Sequence, residues 1–311
     1  MSKSTILLFG TGSMAYEYAR VLKNLKQNFI VVGRGQQSAK IFHQKTGIKP
    51  LTGGAKHFIS QSNYSLSKAI VAVTGDQLGI VALQLIRHGV KSLLLEKPGG
   101  LDDQEIKQVY SQANKHSAKV YIAYNRRFYS STKKAEEIIK KDKGILSFHF
   151  EFNEPIDIIF KSNYLKQIKD RWLFHNSTHV IDLAFFLGGT PKFISAKTYN
   201  NRIFVGQGLT ENDAPFTYHA NWLAPGRWSL ELMTKNHRLI FRPLEKLQAQ
   251  ENGSFDLVNI DLENNLDIDF KPGLFREVEA FLKDDTSNSS LCTIETQIKN
   301  LTWYEKILKG S

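Results

Sequence analysis

Thr5-Ile6-Leu7-Leu8-Phe9-Gly10-Thr11-Gly12-Ser13-Met14-Ala15 is the stretch that decides the reading of this chain. Ile6 to Phe9 is a continuous apolar run, bounded by glycine, of the length of a buried strand. Met14, Tyr18, Val21, Leu22 and Leu25 then recur at the spacing of one helix face. Between them stands G-x-G-x-x-A, directly after the strand and at the opening of the helix, the context that gives the motif meaning. Gly10 allows the tight turn, Gly12 lets backbone N–H groups approach a pyrophosphate, and Ala15 permits close helix–strand packing. The helix N-terminus offers free N–H groups and a positive dipole end to the anion. Gly10, Thr11, Gly12, Ser13 and Met14 are therefore expected to bind a dinucleotide.

A second strand is expected over Phe29–Val32. In NAD-binding versions of this unit an acid ~20 residues beyond the glycines binds the ribose 2′-hydroxyl. Here that position reads Gly33-Arg34-Gly35, and no acid occurs between Tyr18 and Gly75. An acid would repel a 2′-phosphate, whereas Arg34 pairs with one bidentately. Arg34, with Ser38 one helical turn on, predicts NADP(H) as cofactor.

Working outward, strands are expected over Ala69–Val73, Leu93–Leu95 and Val120–Tyr124. Helices lie between them, from Leu78, with Asp76 as its cap and Gly89 as its stop, and from Asp102 or Asp103 to about His116. Strands alternating with helices mean a parallel sheet. After Tyr124 the texture changes. Ile145–Phe152, Phe193–Tyr199, Phe216–Trp222, Trp228–Thr234 and Arg238–Phe241 read as strands, most of them closely spaced with turn signals between, as in an antiparallel sheet. Helices are expected over Asn176–Leu187, Leu274–Leu282 and Ile294–Leu308, with a polar loop over 284–290. The expected architecture is an α/β dinucleotide domain over 1–124, then an α+β domain with a large, mostly antiparallel sheet over 125–311.

Composition limits the remaining possibilities. With 311 residues, 41% hydrophobic and 23% charged, the chain is ordinary globular material. No apolar run approaches the ~20 residues that span a bilayer, so no membrane partner is expected. Ile6–Phe9 is too short for a signal-peptide core, and a single cysteine, Cys292, suits a reducing compartment, so a cytoplasmic protein is expected. The net charge of +11 favours anionic partners. Its lysines and arginines are scattered, which argues against nucleic acid. Lys161, Tyr164, Arg171, Trp172 and Arg202 suit an anionic or sugar ligand by type, yet solvated or core roles serve them as well.

Leu93-Leu94-Leu95-Glu96-Lys97-Pro98-Gly99-Gly100 ends a strand at the edge where doubly wound sheets bind ligands. With GTGSMA at 10–15, EKPGG at 96–100, YNRRF at 124–128 and HNSTHVIDLAFFLGG at 175–189, the chain resembles the Gfo/Idh/MocA oxidoreductases, named for glucose–fructose oxidoreductase and inositol dehydrogenase. The resemblance implies a Rossmann domain followed by an open-sheet domain, a nicotinamide cofactor and a sugar, cyclitol or nucleotide-sugar substrate. It gives Lys97 a place beside the nicotinamide and the reacting oxygen, and His179 the role of acid/base. Asn125 and Arg127 would line the site, and Thr74 and Glu96 would flank the cofactor. Two departures stand out. The family aspartate four residues before the histidine is His175 here, and the usual A-T-P-N-x-x-H loop reads Val73-Thr74-Gly75-Asp76-Gln77-Leu78-Gly79.

His175, His179 and Asp182 fall at i, i+4 and i+7, on one face of a helix. Three readings are open. In the first, His179 moves the proton of the reacting oxygen and His175 or Asp182 orients it. In the second, the two histidines and Asp182 hold Zn²⁺, although the glutamate of H-E-x-x-H is missing. In the third, all three are buried polar residues of the packing. The first is the expectation carried forward, with no metal.

The expected function is NADP(H)-dependent hydride transfer to or from a sugar-like alcohol or ketone, by a homodimer or homotetramer whose open sheet needs cover. The alternative is a non-catalytic NADP(H)-sensing regulator of the same fold, since fold does not fix function.

Overall fold

The computed structural model describes residues 5–61, 67–283 and 290–310. The polar loop expected over 284–290 lies, except for Ser290, outside them. The chain divides into two compact units, Met1–Tyr124 with Ile268–Ile298, and Asn125–Asp267 with Lys299–Ser311.

The first unit is built on parallel strands β1 (Ile6–Phe9), β2 (Phe29–Val32), β3 (Lys68–Val71), β4 (Ser92–Glu96) and β5 (Lys119–Ala123), ordered β2-β1-β3-β4-β5. β1 is buried throughout, as are Leu93, Leu94 and Leu95 of β4, as expected of strands with helices on both faces. One strand of the usual six is reduced to a single bridge. Leu51 pairs in parallel with Val32, donating its N–H to Val31 and accepting from Gly33. Counting Leu51 as a vestigial third strand, the order is the 3-2-1-4-5-6 of dinucleotide folds. No apolar run marks this residue, so the sequence reading passed over it.

The region expected to run unbroken from 125 to 311 is interrupted, because residues 268–298 return to the first unit. The strand Cys292–Thr293 pairs antiparallel with β5, and Phe281 packs edge-on to Tyr121 at 6.2 Å. Strand pairing and apolar packing thus hold this segment to the sheet.

The second unit carries an eight-stranded sheet of β6 (Ser147–Phe152), β7 (Pro191–Tyr199), β8 (Ile203–Thr210), β9 (Pro215–Asn221), β10 (Trp228–Met233), β11 (His237–Phe241), β12 (Gln248–Glu251) and β13 (Val258–Asn259). Its order is β13-β12-β11-β10-β6-β9-β8-β7, antiparallel except for the β6–β9 pair. The alternation in β6 buries Phe148, Phe150 and Phe152 and turns His149 and Glu151 the other way. The helix Thr178–Gly188 covers that inner face, with Phe185 edge-on to Phe150 at 5.9 Å. Strand β8, which contains Gly206 and Gly208, is not among the strands expected from the sequence. A Cβ at Gly206 would lie 2.3 Å from the Tyr218 hydroxyl, and one at Gly208 2.4 Å from the Phe216 ring. The glycines make room for these rings, which stack on Phe150 and Phe148 at 5.4 and 4.9 Å.

Candidate functional site

In the first unit the glycine loop is shaped as its motif requires. Gly10 has φ +122°, and a Cβ there would lie 2.1 Å from the Ala72 carbonyl oxygen, so only glycine fits. Gly12 is the N-cap of the helix Ser13–Asn24. No side chain caps that end, its first turn holds no acid, and nothing lies within 4 Å of a Cβ built on Gly12. The helix N-terminus is thus open toward an anion. The Thr11 hydroxyl donates to Ser38 Oγ (3.0 Å), whose own hydroxyl donates to the Gly35 carbonyl (3.1 Å). This ties the glycine loop to the turn that presents Arg34, which is exposed. Thr74 occupies the N-cap position of the short turn Gly75–Gln77 beyond β3, without a side-chain capping bond. Burial pushes the Asp76 carboxyl up, but hydrogen bonds from Thr74 and Gln77, with the charge of Arg34, bring it below the ordinary range. Thr11, Arg34, Ser38, Thr74 and Asp76 therefore share one edge of the sheet. Asp76 does not cap the following helix Leu78–Arg87, whose N-cap is Gln77. The carboxylate of Glu105 lies there instead, hydrogen-bonded to the Leu101 and Gly79 backbone N–H groups. A Cβ at Gly79 would lie 2.3 Å from Glu105, so glycine is required at this position.

Glu96 and Lys97 close β4. Tyr18, from the glycine-loop helix, donates its hydroxyl to Glu96 Oε1 at 2.9 Å. Burial raises the Glu96 carboxyl, and the Tyr18 hydrogen bond and the charges of Lys97 and Lys271 oppose it. Burial, then the carboxylates Glu96 and Glu277, push the Tyr18 phenol well up. Gly99 has φ +96°, and a Cβ there would lie 2.5 Å from Ile122 Cδ1. Gln297 donates to the Pro98 carbonyl at 3.0 Å. The turn bearing Lys97 is thus braced by the returning segment, a contact that its separation of 199 residues hid from the sequence reading.

In the second unit the short turn Asn125–Phe128 presents Asn125, Arg126 and Arg127. Arg127 and Asp182 form a buried bidentate pair, Nε to Oδ2 at 2.8 Å and Nη2 to Oδ1 at 2.5 Å. Burial raises the Asp182 carboxyl and Arg127 opposes it. Asp182 is therefore held by Arg127, which takes it away from the orienting and zinc-ligand roles considered for it. Among the described residues no group of three His, Cys, Asp or Glu could hold a metal ion. His175 lies in a π-helical turn, Leu173–Ser177, that leads into the helix bearing His179, the kind of irregularity often found at functional positions. The turn changes the helical phase between the two histidines, so the i, i+4 stacking does not carry over unchanged. Both are buried, and His179 packs 6.1 Å from the Trp228 ring.

Hydrogen-bonded to Asn176 and Ser177, in the turn before His179, is a group not singled out from the sequence. Glu154 is buried and accepts from Ser177 Oγ at 2.7 Å and from Asn176 Nδ2 at 3.1 Å to each oxygen. Burial raises its carboxyl, opposed by the hydrogen bonds from Ser177 and Asn176. Glu154, Trp228, Arg126, Arg227 and Glu245 line a cavity of about 290 Å³. Of the basic candidates raised from the sequence, Lys161 is exposed, and the two arginines are engaged elsewhere. Arg171 pairs with Glu305 at 2.6 Å, and Arg202 stacks on Phe160.

A parallel sheet in dinucleotide-fold order with an open helix N-terminus at its glycine loop defines a nucleotide-binding Rossmann domain. Residues 4–124 match the family model described as oxidoreductase family, NAD-binding Rossmann fold. Residues 4–124 are thus similar to the Rossmann domain of the Gfo/Idh/MocA oxidoreductases. None of the curated proteins compared matches it. Among solved structures it is similar to an oxidoreductase from Agrobacterium radiobacter in complex with NAD+, L-tartaric acid and magnesium (TM-score 0.81, 12% identity, 99% of this chain and 96% of that one). It is similar to the UDP-N-acetylglucosamine 3-dehydrogenase of Acidithiobacillus ferrooxidans (0.77, 14%, 100% and 98%). It is also similar to the WlbA dehydrogenase of Chromobacterium violaceum in complex with NADH and UDP-GlcNAcA (0.75, 12%, 100% and 94%). At these identities the likeness establishes a shared fold over the full chain, including the sheet of the second unit. Among the described residues no helix is long and apolar enough to cross a membrane.

Proposed function

We propose that this protein is an NADP(H)-dependent oxidoreductase that moves hydride between the nicotinamide and a sugar-like alcohol or ketone. The observation that carries the reading is the helix N-terminus at Gly12, open and free of acid beside the required Gly10 turn. NADP(H) rather than NAD(H) rests on Arg34 standing where an acid would otherwise be, tied to the glycine loop through Ser38 and Thr11. Gly10 to Met14 hold the pyrophosphate, and Arg34 and Ser38 the 2′-phosphate. Thr74, Glu96 and Asn125 flank the rest of the cofactor. The Agrobacterium and Chromobacterium proteins carry NAD+ and NADH, and a structure similar to this chain from Desulfitobacterium hafniense is described as a putative NADPH-dependent oxidoreductase, so the proposed preference rests on Arg34. The sugar-like substrate is supported by the nucleotide-sugar enzymes that share the fold.

In oxidation His179 accepts the hydroxyl proton, and Lys97 stabilises the oxygen as it gains charge. Reduction reverses the steps. The bound nicotinamide supplies the hydride chemistry, and the chain supplies orientation and electrostatics. His175 adjoins the reacting oxygen in the place of the family aspartate. Arg127, fixed by Asp182, holds the turn that presents Asn125. A dimer or tetramer in the reducing cytoplasm is part of the proposal, supported by Phe193 and Tyr199 exposed on the sheet's outer face.

The test is a fluorescence titration of the protein with NADPH and, separately, NADH. NADPH should bind about tenfold tighter, equivalent to ~1.4 kcal/mol, and Arg34→Ala should abolish the difference. Tighter NADH binding overturns the role of Arg34. Failure to bind either cofactor overturns the oxidoreductase reading. The regulator alternative draws on His175 in place of the aspartate, and steady consumption of cofactor with any sugar excludes it.

A further inference from the structure

The two arginines of the YNRRF turn have opposite environments. Arg127 is held by both oxygens of Asp182, whereas among the described residues Arg126 meets no carboxylate. It donates only to Asn125 Oδ1 at 3.2 Å and otherwise lies over the Trp228 ring at 4.9 Å and the Tyr129 ring at 5.9 Å. Arg227, from the loop before β10, lines the same cavity, is exposed, and among the described residues forms no ion pair. Glu154 has only neutral donors as partners and is buried, so it forms the inner end. Trp228 joins this cavity to His179. Two guanidinium groups and two carboxylates, Glu154 and the exposed Glu245, line this cavity, and among the described residues neither arginine forms an ion pair with them. Guanidinium groups match carboxylate and phosphate oxygens in geometry, and such charge-assisted bonds are about twice as strong as neutral ones.

We propose that this cavity is the subsite for an anionic group on the substrate, a carboxylate or phosphate carried by the sugar, paired to Arg126 and Arg227 while a sugar hydroxyl donates to Glu154. The inference rests on the sugar-oxidoreductase reading and narrows it to acidic sugars. Glu154 lines the cavity and, as a carboxylate, can accept from a sugar hydroxyl; Glu245 is exposed, where solvent screens its repulsion of an anion.

The experiment titrates the full chain with glucose, glucuronate, glucose 6-phosphate and UDP-N-acetylglucosamine, following tryptophan fluorescence, with heat of binding as a second readout. At least one anionic sugar should bind tenfold or more tighter than glucose, and which one does so separates carboxylate from phosphate. Arg227→Ala and Arg126→Ala should each weaken that binding about tenfold, and so should 0.5 M salt, roughly the range in which exposed pairs are screened. Lys192→Ala, at an exposed lysine paired with Asp213, should change nothing, which separates this site from the general positive charge. Arg227 is exposed, so its replacement leaves folding intact. Equal binding of glucose and all three anions, no binding of any anion, or unchanged anion affinity in both arginine variants overturns the proposal. NADPH titration of the same samples distinguishes the failures. If NADPH binds and no anion preference appears, only the subsite fails; if NADPH does not bind, the oxidoreductase reading fails.

Discussion

Replacing Asp182 with asparagine separates a structural role from a catalytic one. The side chain keeps its shape and loses its charge, leaving the Arg127 guanidinium with a neutral partner at a position where the two side chains are 6% and 1% exposed. Breaking a buried pair from one side costs about 3–5 kcal/mol, because the remaining charge is desolvated without compensation. That is a large share of the ~5–15 kcal/mol that holds a typical domain folded. The chain's four tryptophans, Trp172, Trp222, Trp228 and Trp303, all lie in the second unit, so their fluorescence follows its unfolding alone. With a urea dependence of ~2 kcal/mol per molar, the midpoint should fall by about 2 M in Asp182→Asn. Replacing both partners, as in Arg127→Met with Asp182→Leu, should recover most of the loss, since a matched apolar pair leaves no orphan charge. A midpoint shift below about 0.3 M, accompanied by a large fall in turnover, would refute this. Asp182 would then act on His179 as an orienting group.

Three further outcomes are expected. Gly12→Ala should leave the melting temperature unchanged but weaken NADPH binding severalfold, since open space surrounds that Cβ; Gly10→Ala should destabilise the first unit by roughly 1–3 kcal/mol from backbone strain alone, with more from the clash at Ala72. Lys97→Ala should retain NADPH affinity and lose ~10²–10³ in kcat, as when a preorganised charge donor is removed; turnover within twofold of wild type would remove Lys97 from the mechanism. For Asp142, burial pushes the carboxyl up, but hydrogen bonds from His237, Thr234 and Asn236 bring it down to about 2. Its folded pKa is depressed, so its stabilisation is complete above the ordinary carboxylate range and is lost as pH falls toward 2. Asp142→Asn should therefore lower stability at pH 7, and the gap from wild type should close between about pH 4 and 2 in an acid titration followed by tryptophan fluorescence.

Much of the first unit was legible because its signals are local. The strand–glycine–helix unit, the missing acid near Arg34 and the Asp102 cap, whose side chain accepts from the Glu105 N–H at 2.9 Å, each depend on a few adjacent residues. Where the signal was weak or pointed the wrong way, the reading failed. Leu51 shows no run, β8 contains two glycines, and the cap expected from Asp76 is supplied by Glu105 from the next helix. Of the residues considered for the site, Lys97, His175, His179, Arg127 and Asp182 are named from motif and spacing. Glu154, Arg126 and Arg227 were not, since single charged residues in loops carry no periodicity.

From the sequence alone, periodicity and turn chemistry determined the class of fold and the place of the cofactor loop, because strand alternation, helix faces and the glycine requirement act over a few residues. Only the tertiary structure decided which charges meet. Arg127 and Asp182 lie 55 residues apart, and Ser177 and Glu154 lie 23 apart. One arginine of an adjacent pair is neutralised and the other left open by chain segments remote in sequence, and the cost of burying an unpaired charge makes that choice matter.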